Sequence, residues 1–248
     1  MTGDQSIRSA AAFEGFTVEH DGERLSCARA IPYAEHPAQV RQSVVLLHGA
    51  GTGSKQRLVG LMSDSAARGY QAHSFDFSGH GDSSGRLGEL SLERRFVQAR
   101  AVIDSCVPAD HRLVLVGFSM SGHTVADLAT HYGGRVQAIG LCAPAVYAAE
   151  AWSVPFAAGF TEIIRTPDSW RRSPALEVFR ALTARAVLAT PAVDEVIPEA
   201  VTEAVAEALS ASPSLFTRLV YPRADHKLGL WFQENAAERK EFLDAVLA

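Results

Sequence analysis

The chain has 248 residues, 47% of them hydrophobic, and a formal net charge of −5 at pH 7. This length and apolar content suit one domain with a sizeable core, while the negative charge and the lack of a Lys/Arg block interleaved with aromatics exclude nucleic acid as an expected partner. Three cysteines without paired spacing favour a reducing compartment, and with no signal-like start or membrane-spanning run the sequence predicts a cytoplasmic protein.

Short apolar segments alternate with helical patterns along most of the chain. Asp21-Gly22, flanked by alternating residues, predicts an antiparallel hairpin at a sheet edge, and the apolar run 44–47 predicts a central strand covered on both faces. The elements expected next are a helix over about 58–66 closed by Gly69, a strand at 70–77, a helix capped by Ser91, a strand at 113–117, a helix over about 119–132 and a strand at 136–142. This alternation indicates an α/β fold with a mostly parallel sheet.

The segment from about 145 to 185 is less regular and rich in aromatic residues. Because so long a stretch between strands is rarely bare loop, we expect one or two short helices that form a small cap over the sheet. The pattern then resumes with a strand at 186–189, a helix near 199–209, a strand at 215–221 and a final helix from about 234.

Residues 117–122, Gly-Phe-Ser-Met-Ser-Gly, follow an apolar strand and are typical of a nucleophile elbow. The small residues two positions before and after Ser119 let strand and helix approach closely. A serine hydroxyl is a weak nucleophile that needs a base and donors for the oxyanion. Ser119 is the candidate nucleophile, and Ser121 is not, because the residue two positions beyond it is the bulky His123.

A glycine-rich loop, His48-Gly-Ala-Gly-Thr-Gly53, directly follows the strand at 44–47. Its glycines allow a tight turn that presents backbone N–H groups, and the candidate oxyanion donors are the N–H groups of Ala50 and of Met120, the residue after the nucleophile. A phosphate-binding loop is the alternative, but Lys55 lies outside the G-x-x-x-x-G-K-[ST] frame and no G-x-G-x-x-G opens a helix.

Asp194 and His226 complete the pattern. Each follows a later predicted strand, so a parallel sheet brings both to the carboxyl edge where Ser119 stands. The order Ser, Asp, His is that of the α/β-hydrolases. With these residues, His48-Gly49 and Asp76-Phe-Ser-Gly-His-Gly-Asp-Ser83, the chain resembles α/β-hydrolase-fold serine hydrolases over nearly its full length. It is most similar to small-capped esterases, including cinnamoyl and feruloyl esterases, and to acyl thioesterases and monoacylglycerol-lipase-like enzymes.

The resemblance implies one α/β-hydrolase domain over 1–248 with a cap insertion at about 145–185. It implies Ser119 as nucleophile, His226 as general base and then acid, and Asp194 as the residue that orients the imidazole. Cap aromatics are expected to line an acyl or aryl pocket. The candidates for this substrate-binding role are Trp152, Phe156 and Phe160. Neither a metal nor an organic cofactor is expected.

Two positions depart from the family pattern. The second small residue of the elbow is Ser121 where the family has glycine. Thr190-Pro191 stands ahead of the acid where the family usually has His-Gly, so Glu195 is the alternative acid. His80 and Asp82 could suggest a metal site, but one histidine among glycines is an inadequate set of zinc ligands, and we expect both residues to order their loop.

The predicted function is hydrolysis of a carboxylic ester or thioester of a small to medium acyl or aryl substrate through an acyl-enzyme. The expected partner is a small molecule, and the protein is a monomer or homodimer. The same fold hosts acyltransferases, cyclases and lyases, which a transfer product would distinguish. A ligand receptor is a third alternative, indicated if Ser119 fails to react with a serine-directed probe.

Overall fold

The computed structural model describes residues 12–32, 41–212 and 215–248. In these ranges eight strands form one sheet. They are β1 (Ala12–His20), β2 (Glu23–Ile31), β3 (Gln42–Leu47), β4 (Gln71–Phe75), β5 (Arg112–Phe118), β6 (Val136–Cys142), β7 (Arg185–Pro191) and β8 (Phe216–Tyr221). Their order in space is β1-β2-β4-β3-β5-β6-β7-β8, and only the pairs β1–β2 and β2–β4 in this described sheet are antiparallel.

The predicted hairpin forms the first edge of the sheet. Asp21 and Gly22 join β1 to β2 with φ angles of 50° and 74°. Positive φ at both central residues is what the tight turn between right-twisted antiparallel strands requires. The expected turn and the edge position of β1 are therefore confirmed.

Helices cover both faces of the sheet. They are α1 (Val59–Ala66), α2 (Leu92–Cys106), α3 (Ser121–Tyr132), α4 (Thr161–Arg165), α5 (Pro174–Arg180), α6 (Glu199–Leu209), α7 (Leu228–Glu234) and α8 (Ala236–Val246). Alternate residues of β3 enter opposite cores: Val45 and Leu47 pack with α2, α3 and α6, whereas Val44 and Leu46 pack with α1, α7 and α8. The run 44–47 is thus buried on both sides, as predicted.

The connection between β6 and β7 contains α4, α5 and shorter helical turns, which agrees with the expected short helices. α5 packs against α3 and α6, and its buried residues Ala175 and Phe179 belong to the main core. Ala145, at the start of the connection, donates to the Ser119 carbonyl, and Ala151 and Phe160, which share an apolar cluster with Met120 of the elbow, also lie ahead of α5.

The C-terminal region contains the final helix expected from about 234, which is α8, and one helix that is not predicted. This additional helix is α7, which meets α8 at Asn235. The Asn235 backbone has φ −116° and ψ 82°, and both its N–H and its side-chain amide donate to the carbonyl of Trp231. The short, continuously apolar start of α7 carries no helical period, so sequence reasoning missed it. None of the described helices is long and apolar enough to cross a bilayer.

Candidate active site

Ser119 stands in the sharp turn between β5 and α3. Its φ angle is 51°, a left-handed conformation that costs a residue with a Cβ about 1–2 kcal/mol. The surrounding backbone holds it there: the Ser119 N–H donates to Cys142 O, and the Ser119 carbonyl accepts from the N–H groups of Gly122 and Ala145, each at 2.9 Å. The elbow predicted from the small residues around Ser119 is present in the backbone.

Gly117 makes this turn sterically possible. A Cβ at this position would lie 2.5 Å from the carbonyl oxygen of Ser121 and 2.7 Å from Cγ2 of Val125. The first of these atoms belongs to the backbone of α3 and cannot rotate away. Strand and helix therefore approach more closely at the elbow than any other residue type allows.

We expect Gly117→Ala to lower the free energy of unfolding by about 1–3 kcal/mol, because strand and helix must separate to admit the methyl group. Gly134→Ala is the matched control, since a Cβ there would meet no atom within 4 Å. Urea unfolding of both variants checks the prediction. Equal stabilities of the two variants would contradict the close approach at the elbow.

His226 and Asp194 lie beside Ser119 at the carboxyl edge of the sheet. His226 Nε2 is 2.9 Å from Ser119 Oγ, and His226 Nδ1 is 2.9 Å from Asp194 Oδ2. Because an ionised carboxylate only accepts, Nδ1 carries the proton and Nε2 accepts from the serine hydroxyl. The two partners are largely shielded, with side-chain exposures of 15% for His226 and 9% for Asp194.

Asp194 is also held from its other side. Its Oδ1 accepts the backbone N–H groups of Val196 and Ile197 at 2.8 and 2.9 Å. Burial favours the neutral carboxyl, but the hydrogen bonds from His226 and from these two amides outweigh it, so the pKa of Asp194 is lowered from its ordinary value. Glu195 is exposed, and the carboxylate hydrogen-bonded to His226 is that of Asp194.

A buried polar cluster joins the glycine loop to the elbow helix. Arg95 is fully buried, and its Nη2 donates to His48 O at 2.8 Å and to Ser121 Oγ at 2.7 Å. Ser121 Oγ donates to the same carbonyl at 2.7 Å. The guanidinium lies 3.7 Å above the ring of Phe77, which shields it from water. The Ser121 hydroxyl therefore binds the glycine loop and not His226. Arg95 is assigned no role from the sequence, because its partners are distant in the chain.

The His48 side chain orders the same loop. Its Nδ1–H donates to Gly49 O at 2.6 Å, and its Nε2 accepts the N–H of Phe77 at 3.1 Å. Burial, followed by the positive charge of Arg95, lowers the pKa of His48 well below its usual range. With both ring nitrogens hydrogen-bonded to the backbone, the His48 imidazole has a structural part in this site.

The candidate oxyanion donors flank Ser119. The loop lies directly against the serine, since a Cβ on Gly49 would be 3.1 Å from Ser119 Cβ. The carbonyl of Ala50 accepts from Gly53 N at 3.2 Å, which closes the turn. Among the residues that the structure describes, the N–H groups of Ala50 and Met120 donate to no protein acceptor.

The three cap aromatics proposed for substrate binding pack near these donors. Phe160 and Met120 belong to one apolar cluster, against which Ala50, Trp152 and Phe156 also pack. The rings of Phe156 and Phe160 are 4.7 Å apart. Their part in substrate binding stays a prediction.

Trp152 is anchored to α3 through the partly buried Asp127. Its Nε1–H donates to Asp127 Oδ2 at 3.3 Å. Burial raises the pKa of Asp127 from 3.8 to about 7, against the opposing effect of this hydrogen bond. Because the folded-state value is the higher one, the folded protein binds the extra proton between these two pH values, and stability falls as the pH rises through this window.

Asp127→Asn should therefore be as stable as the wild type near pH 4 and more stable, by about 4 kcal/mol, at pH 8. The amide keeps an oxygen for Trp152 and carries no charge. Denaturant unfolding across pH 4–8 measures the difference. Asp110→Asn, a change at a side chain with 60% exposure, should leave this pH dependence as in the wild type. A pH-independent difference in stability for Asp127→Asn would contradict the raised pKa of Asp127.

A cavity of about 330 Å³ opens beside Ser119. Its walls are residues of the glycine loop, Phe118 and the segment after His226, together with Arg57, Leu58 and Val196. Trp152, Phe156 and Phe160 are not among its lining residues. Sequence reasoning missed Arg57 and Lys227 at this cavity, although each lies just beyond a motif that it had singled out.

The loop with His80 and Asp82 is ordered by hydrogen bonds, as expected. Asp76 accepts the backbone N–H of Lys55 at 2.7 Å, the ammonium of Lys55 at 2.5 Å and the N–H of Asp82 at 3.0 Å. His80 Nδ1–H donates to Ser78 O at 3.1 Å. Within the described ranges no three His, Cys, Asp or Glu side chains are grouped as metal ligands would be.

Residues 38–171, more than half of the chain, match the family described as serine aminopeptidase, S33. No curated protein matches the chain in sequence. Three similar solved structures are the thioesterase domain from the curacin biosynthetic pathway (TM-score 0.71, 16% identity, 94% of this chain and 99% of that one), Est1E from Butyrivibrio proteoclasticus bound to ferulic acid (0.69, 16%, 94% and 99%), and the CarC serine hydrolase involved in carbazole degradation (0.67, 16%, 94% and 99%). At these identities the likeness shows the fold alone, and it confirms the predicted α/β-hydrolase fold.

Proposed function

The chain belongs to the serine aminopeptidase S33 family of α/β-hydrolases, and from this we propose that it cleaves a carboxylic ester or thioester through a covalent acyl-enzyme. The observation that carries the proposal is the continuous chain of hydrogen bonds from Ser119 Oγ through His226 to Asp194. Each distance, 2.9 Å, is within reach for proton transfer.

In the proposed reaction Ser119 Oγ attacks the substrate carbonyl while His226 Nε2 takes its proton. The imidazolium then gives this proton to the leaving alcohol or thiol, which departs as the acyl-enzyme forms. Water, deprotonated by the same nitrogen, releases the carboxylic acid and restores Ser119. Asp194 keeps the proton on Nδ1 and stabilises the imidazolium, and the hydrogen bonds that lower its pKa favour its ionised form.

The oxyanion of each tetrahedral intermediate is proposed to accept from the N–H groups of Ala50 and Met120. Two features support this assignment: these groups flank Ser119, and in the described structure they have no protein acceptor. Arg95 and Ser121 would act on the donors indirectly, because both bind the carbonyl of His48 at the start of the loop. Preorganised donors of this kind contribute about 10²–10³-fold each to turnover.

We further propose that the chain is one domain and that residues 149–172 act as its cap. The apolar cluster around Met120 and Phe160 would then receive an acyl or aryl group from the cap side. Trp152 and Phe156 are the other two residues proposed to contact that group.

The experiment that tests the proposed function is steady-state hydrolysis of a graded series of acyl and aryl esters and thioesters, with L-aminoacyl arylamides included because of the family description. Free acid should be released from at least one ester or thioester. A second acceptor, such as a primary alcohol, should not divert most of the acyl group. Transfer in preference to hydrolysis would replace the proposal with an acyltransferase, and cleavage of the arylamides alone would replace it with a peptidase.

A further inference from the structure

Two cationic side chains line the cavity beside Ser119, and neither is in an ion pair with a described acidic residue. Arg57 and Lys227 both line it, and none of its lining residues is acidic. The single ion pair that involves a described lining residue is His226 with Asp194, so neither Arg57 nor Lys227 has a carboxylate partner in the part of the chain that the structure describes. The neighbouring acids Glu195 and Asp225 are not lining residues, and Asp225 instead accepts the backbone N–H of Lys227 at 2.8 Å.

The guanidinium of Arg57 is held at the glycine loop. Its Nη2 donates to Thr52 Oγ1 at 2.7 Å, and Thr52 lines the same cavity. The charge of Arg57 also contributes to the lowered pKa of His48, which places it within electrostatic range of the loop. With one N–H bound to Thr52, the guanidinium group of Arg57 retains further N–H donors for a ligand.

The rest of the cavity wall is apolar. Leu58, Phe118, Leu228 and Leu230 are among its lining residues, and Gly229 adds no side chain to it. A cavity of this kind suits a ligand with an apolar segment and a charged end. Since the chain has a net charge of −5, its overall field does not attract anions, and only a local pair of cations could favour one at this point.

We propose that the substrate carries an anionic group, a carboxylate or phosphate, that binds Arg57 and Lys227 while its apolar part lies along Leu58 and Phe118. This rests on the proposed function, since it names the substrate class of that same site. The anion can belong to the acyl chain or to the leaving group, and the two sources share the same chemistry of recognition.

Two matched substrate pairs test the proposal. In the acyl arm, 4-nitrophenyl hydrogen adipate is compared with the 6-methylheptanoate, in which an isopropyl group replaces the carboxylate. In the leaving-group arm, hexanoyl-4′-phosphopantetheine is compared with hexanoyl-pantetheine. We expect kcat/KM to be at least tenfold higher for the anionic member in one of the two arms. The arm that shows this preference tells whether the anion belongs to the acyl chain or to the leaving group. The preference should weaken as ionic strength rises, because salt screens partly exposed charges.

The variant Arg57→Gln plus Lys227→Gln should reduce this anionic-to-neutral ratio at least tenfold. Arg41→Gln plus Lys240→Gln removes the same charge at side chains with 78% and 68% exposure outside the cavity and should keep the wild-type ratio. Equal kcat/KM within both pairs for the wild type, or equal loss of the ratio in both double variants, would overturn the proposal.

Failure of the proposed function is visible separately. If Ser119→Ala hydrolyses the neutral esters as fast as the wild type, the acyl-enzyme proposal fails whatever the charge preference. Binding of the same esters to Ser119→Ala, measured by calorimetry, compares the pairs without turnover. There the anionic member should bind at least tenfold more tightly, and equal Kd values would overturn the anion site.

Discussion

Replacement of Ser119 by alanine is expected to lower kcat/KM for the best ester or thioester by about 10⁴–10⁶-fold. Without the hydroxyl, no acyl-enzyme forms, and the remaining rate comes from binding and from the oxyanion donors. The fold should be retained, because Ser119 is held through its backbone N–H and carbonyl, which alanine also provides. Initial rates of hydrolysis, with circular dichroism to verify folding, measure the effect.

Ser121→Ala is the matched control, since it removes a hydroxyl two residues away. Ser121 Oγ binds His48 O and Arg95, and it does not contact His226. Its loss should loosen the glycine loop and cost about 10²-fold at most, the cost of one weakened oxyanion donor. A larger loss in Ser121→Ala than in Ser119→Ala would reverse the assignment of the nucleophile.

Asp194→Asn should lower kcat by about 10³–10⁴-fold with little change in KM. The amide can donate to Nδ1 of His226, and the ring proton then lies on Nε2. A protonated Nε2 cannot accept the hydroxyl proton of Ser119. The effect should be on chemistry rather than on binding, because the Asp194 side chain lies behind the imidazole and does not line the cavity. Steady-state kinetics separates kcat from KM.

Glu195→Gln tests the alternative acid. Glu195 is exposed and is not the carboxylate on His226, so this variant should keep kcat within about threefold of the wild type, as is usual for surface changes away from a site. A deep loss in Glu195→Gln together with near-normal Asp194→Asn would show that the acid of the reaction is one position further along the chain.

Local patterns in the sequence were sufficient for much of the fold. The turn at Asp21-Gly22 forms because these two residues tolerate positive φ angles. The four consecutive apolar residues 44–47 indicate by their composition alone that the strand is buried on both faces. Ser91 caps α2 as predicted, with its Oγ accepting from Arg94 N at 3.1 Å. Each feature is determined by residues close together in the chain, which is why sequence could reveal it.

The parts that sequence reasoning missed depend on distant partners. From the sequence, Arg95 is expected to be an ordinary polar residue of an amphipathic helix, yet it is fully buried against His48 O and Phe77. Arg57 and Lys227 come together at one cavity only after the chain has folded. For the same reason sequence could propose the cap aromatics as pocket candidates but could not tell that the cavity beside Ser119 is lined by other residues.

The most direct test of the account is the intact mass of the protein after exposure to a fluorophosphonate, for the wild type and for Ser119→Ala. The reagent phosphonylates a serine only where a base and oxyanion donors activate it. We predict one adduct on the wild type, mapped by peptide fragmentation to Ser119, and none on the variant. An unlabelled wild type, or an adduct that persists in Ser119→Ala, would contradict the central claim that Ser119 is the nucleophile.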